Sequence, residues 1–453
     1  MVFVSKHRRR WTGRLRWHQR SRIRWKSLAI LERLEPRTVP SLTFDFASWF
    51  SPPQVSNSDP ATVPVVTSNA SAIDPSGNVY ITGGFRGNGI DFHPIGSLPG
   101  GGDVASSPFD LDLYVAKYSP AGQLLWLRQQ SGAFLQDDEG FGLAIDPLSS
   151  DLLVTGRLTT ARFLSDVYID RLDSATGLSR PGWGIGATVF GGDGLDEGRA
   201  ITVDPSQNGL IYVTGRFSND FYFGPDRLAT GSDDTNILVL VLGRDGRPLR
   251  GYERGADNAN LDIGLALTPD NLGGVYIAGQ VGPAGNGSIY LDHLINVATS
   301  GQSAPSWGGE RTTFGSADSQ ANGIAVDARG DVYAAGAFRD SVQFGSGITL
   351  TSAGGVDGFV VKFTSQAIPL AAGRIGGEGS DAVTGMAREA GTGHFFLAGW
   401  FSPSTPPADL NPGTGVDPAT NLGQRDVFIV ELRDTLDLDQ ATTAGGQGDD
   451  RPT

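Results

Sequence analysis

The side chains best suited to bind a metal are acidic residues that recur at similar places along the chain. Asp138, Asp196 and Asp381 each stand eight residues before the end of a short apolar run. Carboxylate oxygens are ligands that Ca²⁺ prefers, although no segment matches an EF-hand loop. If the chain is repetitive, these three residues would meet near one channel mouth and could hold Ca²⁺ weakly. Turn formation or plain solvation of the carboxylates is the alternative, and no other cofactor is predicted.

A second set of candidates is aromatic. These residues lie in or beside the longest loops, where a repeated scaffold usually carries its binding function. Their ring faces suit sugars or peptides, while the alternative is that the rings simply pack the loops. The candidate ligand-binding residues are Phe92, His93, Phe109, Phe221, Tyr222, Phe344, Trp400 and Phe401.

Catalytic motifs are absent from the sequence. None of the five His residues forms a pair with zinc-site spacing, and no Cys is present. The chain has no phosphate-binding loop, nucleophile elbow or dinucleotide fingerprint. We therefore predict a non-catalytic protein. A carboxylate pair assembled from different repeats, as in a glycoside hydrolase or polysaccharide lyase, is the alternative that the sequence leaves open.

A unit that recurs six times in 453 residues must position these side chains. Each copy has an apolar run ending in Asp or a substitute, a turn, and a segment closing on Gly, as at 72–83. The turn positions are 74, 146, 204, 268, 327 and 389, so the spacing varies between 58 and 72 residues. We expect the Asp residues at these positions to shape hairpin turns.

Two further strands follow in most copies. Third strands are predicted to begin near 113, 167, 237, 289, 358 and 427, and five copies have a more variable fourth segment. Four short strands per repeat that cannot bury both faces alone predict an all-β propeller of four-stranded blades. The loops between second and third strands share one face with the blade connections, and they are long in repeats 1, 3, 5 and 6.

Charge divides the chain into segments. Residues 1–40 hold 12 Lys and Arg against 2 Glu, although the whole chain has a net charge of −14. Three Trp residues interleave this basic head, a pattern that nucleic-acid or anionic-lipid binding would use. The strongly acidic remainder would be repelled by polyanions, so we predict an export or processing segment and no nucleic-acid partner. No apolar run is long enough to span a membrane.

The ends of the chain predict how the ring closes. After the third strand of repeat 6 the sequence shows no clear apolar segment, whereas residues 42–50 are rich in aromatic residues. We therefore predict that residues 42–50 supply the missing outer strand of the last blade. The predicted domains are a basic segment at 1–40, the propeller at 41–436 and a disordered Gly/Asp-rich tail at 437–453.

Two stretches resemble known families. The frame at 324–336, followed by Gly-Phe-Val-Val-Lys-Phe at 358–363, resembles the SBBP bacterial β-propeller repeat, and the likeness covers about 69–432. Leu-Glu-Pro-Arg at 34–37 resembles the LEPR-type N-terminal motif of bacterial extracellular proteins. The first resemblance implies seven blades, against the six copies recognised. Together they imply an exported protein of the cell surface or medium, expected to be a monomer that binds an extracellular glycan or protein.

Overall fold

The structure, a computed structural model, describes most of the chain beyond its first 63 residues. The described residues are 64–92, 104–132, 136–160, 164–184, 188–230, 234–255, 261–283, 285–307, 312–315, 318–345, 347–389, 392–450 and 452. They form six antiparallel blades of a β-propeller, and these follow the repeats in sequence order. The predicted all-β propeller is therefore confirmed.

Each blade begins with an inner strand and continues outward through a second strand. The inner strands of blades 1 to 6 are Val65–Val66 with Ala70–Ile73, Glu139–Ile145, Glu197–Asp204, Ile263–Pro269, Gln320–Val326 and Asp381–Arg388. The second strands are Val79–Asp91, Leu152–Thr159, Leu210–Ser218, Val275–Val281, Val332–Gln343 and Phe395–Phe401.

Third and outer strands complete the blades. The third strands are Val104–Tyr118, Ser165–Leu172, Thr235–Leu242, Ser288–Ile295, Thr349–Phe363 and Asp426–Leu432. The outer strands are Leu124–Gln130, Thr188–Gly192, Pro248–Arg254, the pieces Gln302–Ser303 and Thr312–Phe314, Pro369–Ile375, and Leu438–Ala444. The predicted starts of the third strands fall inside these ranges or within a residue of their first residue.

The long loops of blades 1, 3 and 5 are largely β-hairpins. In blades 1 and 5 the second and third strands run on past the blade body and keep pairing. In blade 3 the hairpin Asp220–Phe223 with Asp226–Ala229 pairs with the outer strand of blade 2. A shorter hairpin, Ala408–Asp409 with Pro418–Ala419, lies in the corresponding loop of blade 6. Backbone pairing therefore makes much of this face regular sheet.

Helix is almost absent from the described residues. The helical segments there are two single 3₁₀ turns, Pro205–Gln207 and Pro305–Trp307. Within the same part of the chain, no helix has the length and hydrophobicity needed to cross a bilayer.

Hydrophobic clusters join each blade to the next. Tyr80 of blade 1 packs with Leu143 and Tyr168 of blade 2, and similar clusters join blades 2–3, 3–4, 4–5 and 5–6. A further cluster lies on the other face of blade 1 and contains Phe85 and Tyr114. Since the second and third strands bury residues on both faces, blade packing supplies most of the core.

Small residues let the inner strands approach their neighbours. A Cβ added to Gly140, Gly198 or Gly264 would lie 1.9–2.1 Å from the hydroxyl of a Thr in the preceding blade. For Gly198 that residue is Thr155, whose Oγ1 donates to the carbonyl of Tyr168. The Thr hydroxyl and the missing side chain therefore set the spacing between blades 1 to 4.

The C-terminal prediction is wrong. Leu438–Ala444 pairs with Asp426–Leu432 as the outer strand of blade 6, so the predicted disordered tail 437–453 contains a paired strand and the propeller extends past 436. Leu438–Ala444 therefore occupies the outer-strand position of blade 6 that we predicted for residues 42–50. Residues 42–50 themselves, like the basic segment 1–40, lie outside the described residues.

Candidate ligand-binding face

One face of the propeller carries the blade connections and the hairpins between second and third strands. At this face the first residues of each inner strand pair with the last residues of the second strand. Blades 2 and 3 place a charged pair at this position, Glu139 with Arg157 and Glu197 with Arg216. Blade 4 pairs Ile263 with Gln280, blade 5 pairs Gln320 with Ala337, and blade 6 pairs Ala382 with Trp400. This edge of the inner and second strands, the rim, therefore has a charged cross-strand pair at this position in blades 2 and 3 but not in blades 4 to 6.

On the rim of blades 2 and 3 the charged side chains form one continuous network of ion pairs. Arg157 Nη2 lies 2.8 Å from Glu139 Oε2, and its Nη1 lies 3.9 Å from Glu197 Oε2 in the next blade. Glu197 Oε1 also lies 2.8 Å from Arg216 Nε and 2.6 Å from Arg199 Nη2. The guanidinium of Arg199 lies 4.0 Å from the ring centroid of Phe141. Both carboxylates are therefore held by arginines of one network.

Four of the predicted ligand-binding aromatic residues are buried, which corrects the prediction for them. Phe92 packs against Phe85 and Tyr114, and Phe344 lies in the cluster between blades 4 and 5. Phe221 and Phe401 have no exposed surface. Their loops form β-sheet pairing that buries the rings. These four rings therefore pack the loops, which is the alternative given in the sequence analysis.

Three other predicted residues remain accessible on this face. Phe109 and Tyr222, on the hairpins of blades 1 and 3, are 71% and 52% exposed. Trp400 is half-buried at the rim of blade 6, and the guanidinium of Arg425 lies 4.4 Å from its ring centroid. The three rings belong to different blades and make no ring contact with one another. The eighth candidate, His93, lies outside the described residues.

Asp138, Asp196 and Asp381 are fully buried, each at a different junction between blades, and the structure does not bring them together. Each carboxylate accepts backbone N–H groups from two places. Asp196 accepts from Gly192 and Ser218, and Asp381 accepts from Gly377 and Ser402. The donors come from the outer-strand end of one blade and the second strand of the next. These residues therefore fasten consecutive blades.

Several junction residues face a second carboxyl or amide group at the start of a third strand. Asp196 adjoins Asp166, Asp381 adjoins Asp357, and Asp262 adjoins Asn236. Burial, together with the Asp166 carboxylate, raises the pKa of Asp196 to about 8. Burial, reinforced by Asp357, raises the pKa of Asp381 to about 6, and burial likewise raises the pKa of Asp138 to about 6. At pH 7 Asp196 is therefore mostly protonated, whereas Asp138 and Asp381 are mostly ionised.

The repeated turn residues lie on the opposite face. Asp74 Oδ1 accepts from the backbone N–H groups of Ser76 and Asn78, and Asp327 does the same for Arg329 and Asp331. Burial alone would raise the pKa of Asp74, but hydrogen bonds from Asn78, Tyr80 and Ser76 outweigh it and lower that pKa. The sequence interpretation of these Asp residues as turn formers is confirmed.

A cavity of about 390 Å³ lies at the ends of the inner strands of blades 1 to 4 on this opposite face. Its walls include Ile73, Ile145 and Val203, with Pro147 and Pro205 from the adjoining turns. Thr202 is the one lining residue with a polar side chain, and none is titratable. The cavity is therefore lined by backbone groups and mostly apolar side chains, without a titratable group.

Sequence analysis missed two features of the molecule. The first is the charged rim, although Thr-Gly-Arg recurs at 155–157 and 214–216, and Asp-Glu-Gly recurs at 138–140 and 196–198. That double repetition predicts cross-strand Glu–Arg pairs once the strands are aligned. The second is a group formed by His394, Glu431 and Asp439, whose ligand atoms lie within 4.8 Å of one another. Among the described residues it is the one such group able to hold a metal.

Comparison with known proteins identifies no family. No protein-family model matches this chain, and no curated protein matches it in sequence. Among solved structures, Sqt1 of Chaetomium thermophilum aligns over 83% of this chain and 71% of its own, at 12% identity and a TM-score of 0.38. Sqt1 bound to the N-terminus of the ribosomal protein L10 aligns over 81% and 71%, at 11% and 0.36. The periplasmic gluconolactonase PpgL of Pseudomonas aeruginosa aligns over 84% and 86%, at 10% and 0.38. At such low sequence identity and TM-score, these similarities say nothing about the ligand or activity of this chain.

Proposed function

We propose that this chain is a secreted or cell-surface β-propeller that binds an extracellular glycan or protein without catalysing a reaction. The binding surface is the hairpin-rich face. The observation that carries the proposal is a set of accessible aromatic rings on this face: Tyr222 and Trp400 on paired strand residues, and Phe109 in a bulge of the blade 1 hairpin. Rigid aromatic side chains gain contact area on binding at little cost in conformational entropy.

The state of the carboxylates supports binding rather than hydrolysis. Glu139 and Glu197 are paired with arginines at the rim, and the junction residues Asp138, Asp196 and Asp381 have no surface for a substrate. A glycosidase needs two carboxyl groups that both reach the scissile bond, about 5–10 Å apart. The rim carboxylates are instead held in the network of salt bridges.

The N-terminal sequence supports export of the protein. The basic head runs into Leu34-Glu35-Pro36-Arg37, and this arrangement resembles that of bacterial extracellular proteins. Detection of the protein in the culture medium or at the cell surface tests this part, and exclusive recovery from the cytoplasm contradicts it.

Binding is tested by screening the full chain on arrays of extracellular glycans and peptides, with product formation measured on every hit. We expect at least one ligand to be retained and recovered intact. The variant F109A/Y222A/W400A should lose that binding. A matched control, L148A/L272A/I368A, removes three exposed apolar side chains from the opposite face and should bind normally. Cleavage of the ligand, or equal loss in both variants, would contradict the proposal.

A further inference from the structure

The face with the turns carries a charge pattern that repeats from blade to blade. In blades 1, 2, 4 and 5 the third strand places a basic side chain directly opposite the second residue of the second strand. These residues are Lys117, Arg171, His293 and Lys362. Each contacts an Asp of the adjacent turn, as in the 3.7 Å ion pair of Lys117 with Asp74. His293 Nε2 lies 2.9 Å from Asp270 Oδ2, and Lys362 Nζ lies 3.0 Å from Asp331 Oδ2. The pattern is a basic residue on the strand and an acid in the turn.

Blade 6 reverses this arrangement. The position is occupied by Glu431, which pairs with Phe396 of the second strand as the basic residues do with theirs. The partner from the turn side is His394, and its Nδ1 lies 2.5 Å from Glu431 Oε1. The turn acid of the other blades is therefore replaced by an imidazole, and the strand cation by a carboxylate.

The outer strand of blade 6 adds a second carboxylate. Asp439 lies next to the residue that pairs with Glu431 in the sheet, so histidine and two acids come from three adjacent strands or their ends. Asp439 Oδ1 accepts from Arg433, and Glu431 Oε1 contacts His394. These two contacts do not use the second carboxylate oxygens, Asp439 Oδ2 and Glu431 Oε2. The side chains are 16–31% exposed, so an ion from solvent can reach them.

We propose that His394, Glu431 and Asp439 bind a divalent first-row transition metal of the zinc class. Imidazole and carboxylate ligands together suit Zn²⁺, whereas Ca²⁺ and Mg²⁺ prefer oxygen ligands alone. Zinc would take the place of the proton in the short contact between His394 and Glu431 and would recruit Asp439 by a side-chain rotation. Three protein ligands leave one coordination position for water or a ligand. This site lies on the face opposite the aromatic rings, and it is independent of the proposed binding function.

The experiment is a calorimetric titration of the full chain with ZnCl₂. We expect one site that H394A weakens at least about tenfold, since removing one of three ligands opens the site. E431Q keeps the shape of the side chain and should weaken binding similarly. H293A is the matched control, because His293 also pairs with a carboxylate on the same face but lacks a second acid. Its affinity for zinc should stay within about twofold of wild type.

Circular dichroism of each variant establishes that a loss of binding is not a loss of fold. Zinc should also raise the Tm of wild type in proportion to the logarithm of its concentration, and should not do so for H394A. The proposal is overturned if wild type shows no zinc site, if H394A and H293A lose affinity equally, or if CaCl₂ displaces zinc from the site.

Discussion

Paired acids at the blade junctions make the stability of this propeller depend on pH. The pKa of Asp196 is raised to about 8 in the folded protein, whereas the ordinary value is 3.8. Between those two values the folded state holds a proton that the unfolded state has lost. The free energy of unfolding is therefore highest at the lower end of this window and falls as pH rises towards 8. Asp138 and Asp381, with pKa values of about 6, contribute in the same direction below that pH.

The contribution of Asp196 is separable from the others because only its pKa lies near 8. D166N removes the neighbouring charge and imitates the junction of blades 3 and 4, where Asn236 stands opposite Asp262. We expect D166N to reduce the loss of stability between pH 7 and pH 9, by on the order of 1 kcal/mol for each unit of lowered pKa. Urea unfolding at pH 5, 7 and 9 measures it. The reverse change, N236D, should steepen the decline at its own junction, and identical slopes in all three proteins would contradict this account.

Close contact between an inner strand and the second strand of the preceding blade gives a second prediction for a single residue. G198A would place a Cβ 2.1 Å from Thr155 Oγ1, and the hydroxyl cannot turn away without losing its bond to the carbonyl of Tyr168. Overpacking of this kind costs about 1–3 kcal/mol. Thermal unfolding should show the loss, whereas G448A, at a position with nothing within 4 Å, should leave the Tm nearly unchanged. A stable G198A would mean that the junction is looser than described.

The aromatic residues show what the sequence could predict about the site. It located the long loops that carry rings, and it could not tell Phe221, which is buried, from its neighbour Tyr222, which is exposed. In a hairpin, alternate residues point to opposite faces, so the register decides which ring is accessible. That register depends on the pairing with the outer strand of blade 2, a contact between different repeats.

At the scale of the elements, sequence reasoning missed the outer strand of blade 6. Leu438 and Ala441 pack against the cluster between blades 5 and 6, while Asp439 and Gln440 lie between them and two Thr residues follow. An outer strand is half-covered, so two small apolar contacts are sufficient and no apolar run is needed. The second and third strands were predictable because both of their faces are buried and the apolar pattern repeats.

Removing that strand should be damaging. Deletion of residues 437–453 exposes the edge of Asp426–Leu432 and uncovers part of the last cluster. We expect a loss of about 3–5 kcal/mol, seen as a fall in Tm of roughly 10 °C or as aggregation. Deletion of residues 1–40 is the comparison, predicted from the sequence to leave the Tm unchanged. If the two deletions behave alike, the outer strand contributes less than its pairing indicates.

The whole molecule has two chemically different faces joined by a core of packed blades. The hairpin-rich face carries an ion-paired rim and three accessible rings, and the turn face carries the apolar cavity and the group formed by His394, Glu431 and Asp439. Repetition in the sequence predicts the blades and their order, since each copy specifies the same first three strands. It does not predict which face binds, because that depends on side chains that differ between copies.

The most direct test of this account is an equilibrium titration with a ligand found on the array, with the ligand recovered afterwards for mass spectrometry. The account predicts saturable binding by the full chain and recovery of the ligand intact. It also predicts at least about tenfold weaker binding by F109A/Y222A/W400A, with unchanged binding by L148A/L272A/I368A. Cleaved ligand, or a loss of affinity confined to the second variant, would contradict the claim that the hairpin-rich face is a non-catalytic binding surface.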